Sequence, residues 1–280
     1  MKTIIDILKL STDFLIQKKI SQPRRQAEDI IADALKIDRV QLYMQHDRPL
    51  TDPELELCRS RLARRAKGEP LQYIRGEVDF LDCRIKVTPA ALIPRQETEI
   101  LADKIVKELA TIELKGKSLW DVCCGTGCIG IAIKKKFPDL NVVLSDVSPE
   151  ALQLAKENAQ LNEVDVEFYE GDFLHPFTGK TTDFFVCNPP YVADHEFAHL
   201  DDEVKNHEPK LALLAGPDGL DFYKKLAQEL PNYLRHGKAW LEIGKDQGKA
   251  LIELFSKGPW TQCRVEKDWA GNDRFLFLES

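Results

Sequence analysis

Ser118-Leu119-Trp120-Asp121-Val122-Cys123-Cys124-Gly125-Thr126-Gly127 runs from an apolar strand pattern into a glycine turn. Residues 127–136 then continue as a helix that Phe137-Pro138 ends. The same unit recurs downstream. Residues 141–146 read as a second strand and 149–161 as its helix, with Pro149 in the first turn, where a missing N–H does no harm. Residues 166–169 and 184–187 are the third and fourth strands, and 238–243, 261–266 and 274–279 are three more. No helix separates the last two, so the final strand is expected to run antiparallel. Seven strands of this kind predict an α/β fold, a doubly wound, Rossmann-like sheet with ligands beyond the carboxyl ends of its strands.

Upstream the pattern is helical. Ile4, Ile5, Leu8, Phe14 and Leu15 mark an amphipathic first helix, and Ser11 and Ser21-Gln22-Pro23 read as punctuation, with Ser21 an N-cap. Asp52-Pro53 opens a helix with Leu55, Leu57, Leu62 and Ala63 on its apolar side. Leu35, Val40, Leu42 and Tyr43 are expected to complete a small core, and Gly68-Glu69-Pro70 to stop the last long helix. Val78, Phe80, Cys83, Ile85 and Val87 then alternate around Leu81-Asp82, the pattern of a β-hairpin. The expected organisation is an all-helical domain over 1–75, a hairpin linker over 76–95 and the sheet domain over 96–280.

The 280 residues are 43% hydrophobic, enough for one domain of ordinary size and a smaller one. No run approaches the length of a membrane helix, and residues 1–10 lack a signal-peptide core and cleavage site. The seven cysteines, an odd number lying mostly in strand-like runs, read as reduced thiols of a cytoplasmic protein. Cys123, Cys124 and Cys128 have neither a C-x-x-C pair nor a nearby histidine, so no metal is expected. His195 and His199 have a spacing that can bind metal, but among Asp194, Glu196, Asp201, Asp202 and Glu203 they read as a solvated flap. The net charge of −7 is uneven: residues 1–75 hold 15 Lys+Arg against 11 Asp+Glu, and the remainder 24 against 35. The stretch Arg59, Arg61, Arg64, Arg65 and Lys67 reads as a solvated helix face or as a docking surface for an acidic protein or RNA. The acidic remainder argues against wrapping a nucleic-acid duplex.

Three features lie at the carboxyl ends of successive strands. Asp121 with Cys123-Cys124-Gly125-Thr126-Gly127 is the first; its glycines admit close approach of a ligand to the backbone. Asp146 is the second, a carboxylate able to accept from both hydroxyls of a ribose. Gly171-Asp172-Phe173 is the third: Asp172 can read an adenine edge and Phe173 can stack on its face. Gly125, Gly127 and Gly130 also spell G-x-G-x-x-G, which suits an NAD-dependent dehydrogenase as well as an S-adenosylmethionine (SAM) site. Asp121 favours SAM, because a carboxylate there attracts the cationic amino group of a methionine moiety and repels a pyrophosphate.

Asn188-Pro189-Pro190-Tyr191 follows the strand 184–187. Two prolines remove two backbone donors, fix φ and push the preceding residue out of the helical region. The corner is stiff and its carbonyls are free. The Asn188 oxygen and the Pro189 carbonyl can accept both hydrogens of a planar NH2 group while the Tyr191 ring supports its plane. A carboxamide carries such a group, and so does adenine. An amide methyltransferase, an adenine N6-methyltransferase acting on nucleic acid, and a catalytically silent binding module all remain open from these residues. Arg95 reads either as a substrate-positioning group or as a partner of Glu97 or Glu99, and Arg274 as structural.

Over nearly its whole length the chain resembles the bacterial release factor glutamine methyltransferases. The resemblance is carried by residues 68–74, by Leu92-Ile93-Pro94-Arg95 with Glu97-Thr98-Glu99, by residues 146–152, and by Asn188-Pro189-Pro190-Tyr191. Glu208-Pro209, residues 216–220 and Gly271-Asn272-Asp273-Arg274 extend it. It implies a helical N-terminal domain, a hairpin linker and a seven-stranded methyltransferase domain. It also implies SAM at residues 123–127, Asp146, Phe173 and Asn188, and a substrate glutamine at residues 188–191. That glutamine belongs to the Gly-Gly-Gln motif of class I peptide chain release factors, with no membrane or direct nucleic-acid partner and a monomeric enzyme. The family usually has glycine where this chain has Cys123 and often threonine where it has Cys124. A side chain at 123 narrows the cradle and is expected to require negative φ.

Overall fold

The computed structural model describes residues 2–280. Met1, the first residue of the expected helical domain, lies outside the described residues. The chain divides into two compact units. One comprises residues up to Gly76 together with Asp202–His207, and the other Glu77–Asp201 with Glu208–Ser280.

The first unit is built from α1 (Ile4–Gln17), α2 (Pro23–Leu35), α3 (Arg39–Met44), α4 (Asp52–Arg65) and α5 (Leu71–Arg75). Thr3 caps α1 in a reciprocal box with Asp6. The expected punctuation at Ser11 is absent: Ser11 is buried inside α1. Nor does Ser21 cap α2; Gln22 precedes that helix at φ +46° with no side-chain cap, and Pro23 supplies its first turn. Thr51, boxed with Glu54, caps α4, and Asp52 is that helix's first residue. Ile4, Leu8, Leu15, Ile30, Ile31, Leu42 and Leu62 form the core. Val40 is 68% exposed and Tyr43 is also exposed. With six residues, α3 can turn only Leu42 inward. On α4 the inward positions are Cys58, Leu62 and Arg65, so Leu57 and Ala63 face away. The basic stretch is largely neutralised within the unit. Arg61 pairs with Asp33, Arg64 with Glu69, and the buried Arg65 with Glu203.

In the second unit, β1 (Glu77–Phe80) and β2 (Cys83–Lys86) form the expected antiparallel hairpin. Then follow α6 (Gln96–Leu109), β3 (Ser118–Val122), α7 (Cys128–Lys136), β4 (Asn141–Asp146), α8 (Pro149–Leu161), β5 (Glu167–Glu170) and β6 (Thr182–Cys187). After α9 (Asp202–His207), which belongs to the first unit, come α10 (Asp221–Glu229), β7 (Leu234–Glu242), α11 (Gly248–Phe255), β8 (Gln262–Lys267) and β9 (Asp273–Glu279). The hairpin is fastened to α8. The Asn158 side chain bonds both the N–H and the C=O of Lys86, and Asn162 does the same for Arg84.

The seven strands lie in the order β5-β4-β3-β6-β7-β9-β8, and β9 runs antiparallel to both its neighbours. Chain order reverses between β3 and β6, the switch point at which doubly wound sheets open a crevice. The glycine turn makes room for α7 against β4. Gly127 has φ +77°, and a Cβ there would sit 3.0 Å from Ile131 and 3.1 Å from Leu144; at Gly130 a Cβ would overlap Leu144. On one face of the sheet Trp120 stacks on Phe177 at 4.0 Å, within a core that includes Phe185, Tyr223, Leu241 and Phe255. No helix among the described residues is long and apolar enough to cross a membrane.

Candidate active site

The crevice at the switch point is a cavity of about 220 Å³. Residues 123–126 close its floor, Asp146-Val147-Ser148 and Gly171-Asp172-Phe173 form one wall, and Asn188 and Pro190 form another. The sequence reading missed several contributors. Residues 90–94, which follow the hairpin, line the cavity, as do Pro209-Leu211-Ala212 and Phe222. Phe222 meets the ring of Phe173 edge-on at 5.7 Å, so the expected aromatic surface is a pair.

Asp146 is held by backbone. Its Oδ2 accepts from the Gly125 N–H at 2.9 Å and its Oδ1 from Ser148 at 3.0 Å. Each oxygen keeps a lone pair for a hydroxyl. Burial raises its carboxyl above the ordinary range despite those bonds. Asp172 is exposed, with Lys225 3.9 Å away.

Asp121 departs from expectation, since it is not a lining residue. Its Oδ2 accepts from the Gly130 N–H at 2.8 Å, which draws the side chain beneath α7 and away from the cavity. Its Oδ1 is buried with no hydrogen-bond partner among the described residues. Desolvation pushes its carboxyl up to about 7.

Cys123 also departs, in backbone. Its φ is +58°, in the left-handed region, where negative φ was expected. The Cys124 N–H reaches across to the Ser145 carbonyl at 2.9 Å, and the chain must turn sharply to make that bond. Burial raises the Cys124 and Cys187 thiols and lifts Cys128 to about 12, so these are packing groups at neutral pH. Among the described residues no group of three or more His, Cys, Asp or Glu is placed to hold a metal.

The corner after β6 is braced on several sides. Gln247 donates to the Tyr191 and Gly219 carbonyls at 3.0 and 3.1 Å. Val192 exchanges backbone bonds with Leu213 and Ala215 at 2.8 and 2.9 Å, so the segment just before the 216–220 motif supports the corner. The Asn188 Nδ2 donates to Thr98 Oγ1 at 3.2 Å, and Thr98 donates to the buried Glu242 Oε2 at 2.7 Å. Pro189 and Tyr191 do not line the cavity. Tyr191 packs against the sheet core, where burial pushes its phenol well up. Arg95 pairs with neither Glu97 nor Glu99. It pairs with Glu208, whose other oxygen accepts from the Ile93 N–H at 3.1 Å. That pair ties the 208–212 segment to residues 92–95. Arg274 is structural, donating to the Ile243 carbonyl at 3.1 Å beside Asp268.

Along 276 residues the chain is 43% identical to the release factor glutamine methyltransferase of Chlamydia trachomatis serovar D, covering 98% of this chain and 93% of that one. The chain belongs to the release factor glutamine methyltransferase family. Its relative in Thermodesulfovibrio yellowstonii is 40% identical over 94% of this chain and 95% of that protein, and its relative in Geobacter sulfurreducens 36% over 98% and 95%. Residues 96–204 match the Methyltransferase small domain family and residues 6–76 the PrmC N-terminal domain. Among solved structures, the hMettl16 catalytic domain, in complex with an RNA hairpin, superposes with TM-score 0.56. Its identity is 17%, over 82% of this chain and 81% of that one. A Pyrococcus furiosus methyltransferase superposes with TM-score 0.51 at 19% identity, over 79% and 96%. Both confirm the α/β methyltransferase fold of the sheet unit.

The site fits SAM. Asp146 and the Phe173–Phe222 aromatic pair line one cavity, and one carboxylate oxygen of Asp121 lies unpaired beneath the glycine turn.

Proposed function

We propose that this protein methylates the side-chain nitrogen of the glutamine in the Gly-Gly-Gln motif of class I peptide chain release factors, with SAM as donor. The observation that carries the reading is that Asn188 and Pro190 line the same cavity as Asp146 and Phe173, in a chain of this family.

SAM supplies a methyl group on a sulfonium centre whose positive charge is lost on transfer. Asp146 would hold the ribose hydroxyls, and Phe173 with Phe222 would hold the adenine. Asp121, when ionised, would favour a cationic amino group from behind the glycine turn, through the field of its carboxylate. Ile93, Ile129 and the two phenylalanines keep water out, which strengthens each electrostatic contact.

A carboxamide nitrogen is a weak nucleophile because its lone pair is delocalised into its carbonyl. The corner answers this by aim. The Asn188 Oδ1 and the Pro189 carbonyl accept the two amide hydrogens, draw density onto nitrogen and turn its lone pair toward the cavity. Tyr191, fixed by Gln247 and packed on the sheet core, backs the corner from behind. After transfer the protonated amide is acidic enough to lose its extra proton to bulk water as the product leaves the cavity. Arg95 acts through Glu208 to hold the 92–95 segment beside the substrate.

The test is transfer of labelled methyl to a purified release factor with Gln or Ala in its Gly-Gly-Gln motif. Label on the Gln protein alone is expected. Equal label on both, or label on RNA or DNA instead, would overturn the assignment.

A further inference from the structure

We infer that Thr98 and Glu242 are positioning residues that hold the Asn188 amide in the one orientation in which its oxygen faces the substrate. The inference deepens the proposed reaction and rests on it.

An asparagine amide presents an acceptor at one end and a donor at the other. Turned the wrong way, Asn188 would point N–H groups at the N–H groups of a substrate amide. Thr98 decides the orientation. Its hydroxyl has one proton, and an ionised carboxylate can only accept, so the proton goes to Glu242 Oε2 at 2.7 Å. The hydroxyl oxygen then offers Asn188 a lone pair, which only Nδ2 can use, and it does so at 3.2 Å. Oδ1 is left for the site. The three residues are far apart in the chain: Thr98 is in the first turn of α6, Glu242 ends β7 and Asn188 follows β6. Thr98 lines the cavity and Glu242 lies behind it, 1% exposed.

Glu242 is also the point at which the arrangement can be released. The charged and titratable groups that act on it electrostatically are Arg95 before α6, Glu97 in its first turn, Arg274 on β9, Tyr191 in the corner, Tyr223 on α10 and Cys128 on α7. Tyr223 donates to the Glu242 backbone carbonyl at 2.7 Å and fixes the strand end. Burial outweighs the Thr98 hydrogen bond and the two arginines and raises the Glu242 carboxyl to about 7. Once protonated, Glu242 can donate to Thr98. The Thr98 proton is then free to point at Asn188, and the amide fits either way round.

Two readouts test this. The first is kcat at saturating SAM from about pH 5.5 to 8.5, compared between the wild type and Glu242→Gln so that the titration of Asp121, common to both, cancels. Thr98→Val is expected to lower kcat by about 10–100-fold at the alkaline end while the KM for SAM stays within about twofold, and Thr98→Ser to restore most of it. Wild-type kcat is expected to fall below about pH 7, and Glu242→Gln to give a flat profile at or below the wild-type plateau. The second readout is independent of turnover. The 15N signal of the Asn188 side chain, identified by its loss in Asn188→Asp, is expected to titrate with a midpoint near 7 in the wild type and not in Glu242→Gln. Wild-type kcat in Thr98→Val, or an unchanged titration of Asn188 in Glu242→Gln, would overturn the inference. Were the wild type not to methylate a release factor, the proposed reaction would fall, and the Asn188 titration would still decide the positioning claim.

Discussion

Glu242→Gln is expected to make the fold more stable above neutral pH, by an amount that pH sets. The carboxyl is fully buried and its folded-state value is raised from 4.5 to about 7. A raised value means that the folded chain holds the proton more tightly than the unfolded chain. The stabilisation is complete below about 4.5 and is lost as pH rises through about 7. A difference of about 2.5 pH units at about 1.4 kcal/mol each makes ionised Glu242 a burden of about 3 kcal/mol above neutrality. Glutamine has the same shape, keeps an acceptor for Thr98 and carries no charge. Urea unfolding at a series of pH values measures the difference, with fluorescence of the buried Trp120 and Trp240 reporting on the sheet unit. The variant is expected to match the wild type near pH 4.5 and to gain up to about 3 kcal/mol by about pH 8. Asp121, also raised to about 7, is common to both proteins and cancels in the comparison. A difference independent of pH, or a loss of stability at pH 8, would refute the linkage. A carboxylate kept at this cost is consistent with a role in the site and not in the fold.

Gly130→Ala is expected to destabilise by about 1–3 kcal/mol in thermal or urea unfolding, because the new Cβ overlaps Leu144 and sits 3.1 Å from Asp121 Oδ2. Cys123→Gly is expected to leave stability within about 1 kcal/mol, since relief of about 1–2 kcal/mol of left-handed strain is offset by added freedom of the unfolded chain. Calorimetric SAM affinity should hold or improve in that variant. Arg95→Ala leaves the Glu208 carboxylate buried without its cation and is expected to cost about 3 kcal/mol. The double variant Arg95→Met with Glu208→Gln should recover most of that loss in the same unfolding assay.

The sheet was legible because its elements signal locally. Pro149 after the Ser148 cap fixes the start of α8, Pro138 closes α7, and short apolar runs separate the helices. The absence of a helix between β8 and β9 correctly gave the antiparallel strand. Short helices were harder. α5 has five residues and α9 six, too few for periodicity to show, and α9 returns to the helical unit through contacts that local pattern cannot encode. Val40 and Tyr43 were misplaced because hydrophobicity was read without the phase of a six-residue helix.

At the site, Asp146, Phe173 and Asn188 were visible because each lies at or just past the end of a strand, at the edge where ligands bind. Thr98 and Glu242 carried no such mark. Their meaning lies in a hydrogen bond across 144 positions of chain. Asp121 was read as facing the ligand because it precedes the glycines; the Gly130 N–H turns it inward. Phe222 and residues 90–94 reach the cavity only through the tertiary fold.

The central claim is that the corner at Asn188 aims a carboxamide at a methyl donor. It is tested most directly by measuring, on Asn188→Ala, the single-turnover rate of methyl transfer to a release factor and the affinity for SAM. The rate is expected to fall by about 2–4 kcal/mol in barrier while SAM affinity stays within about threefold. A rate that holds, or a rate and an affinity that fall together, would contradict the account.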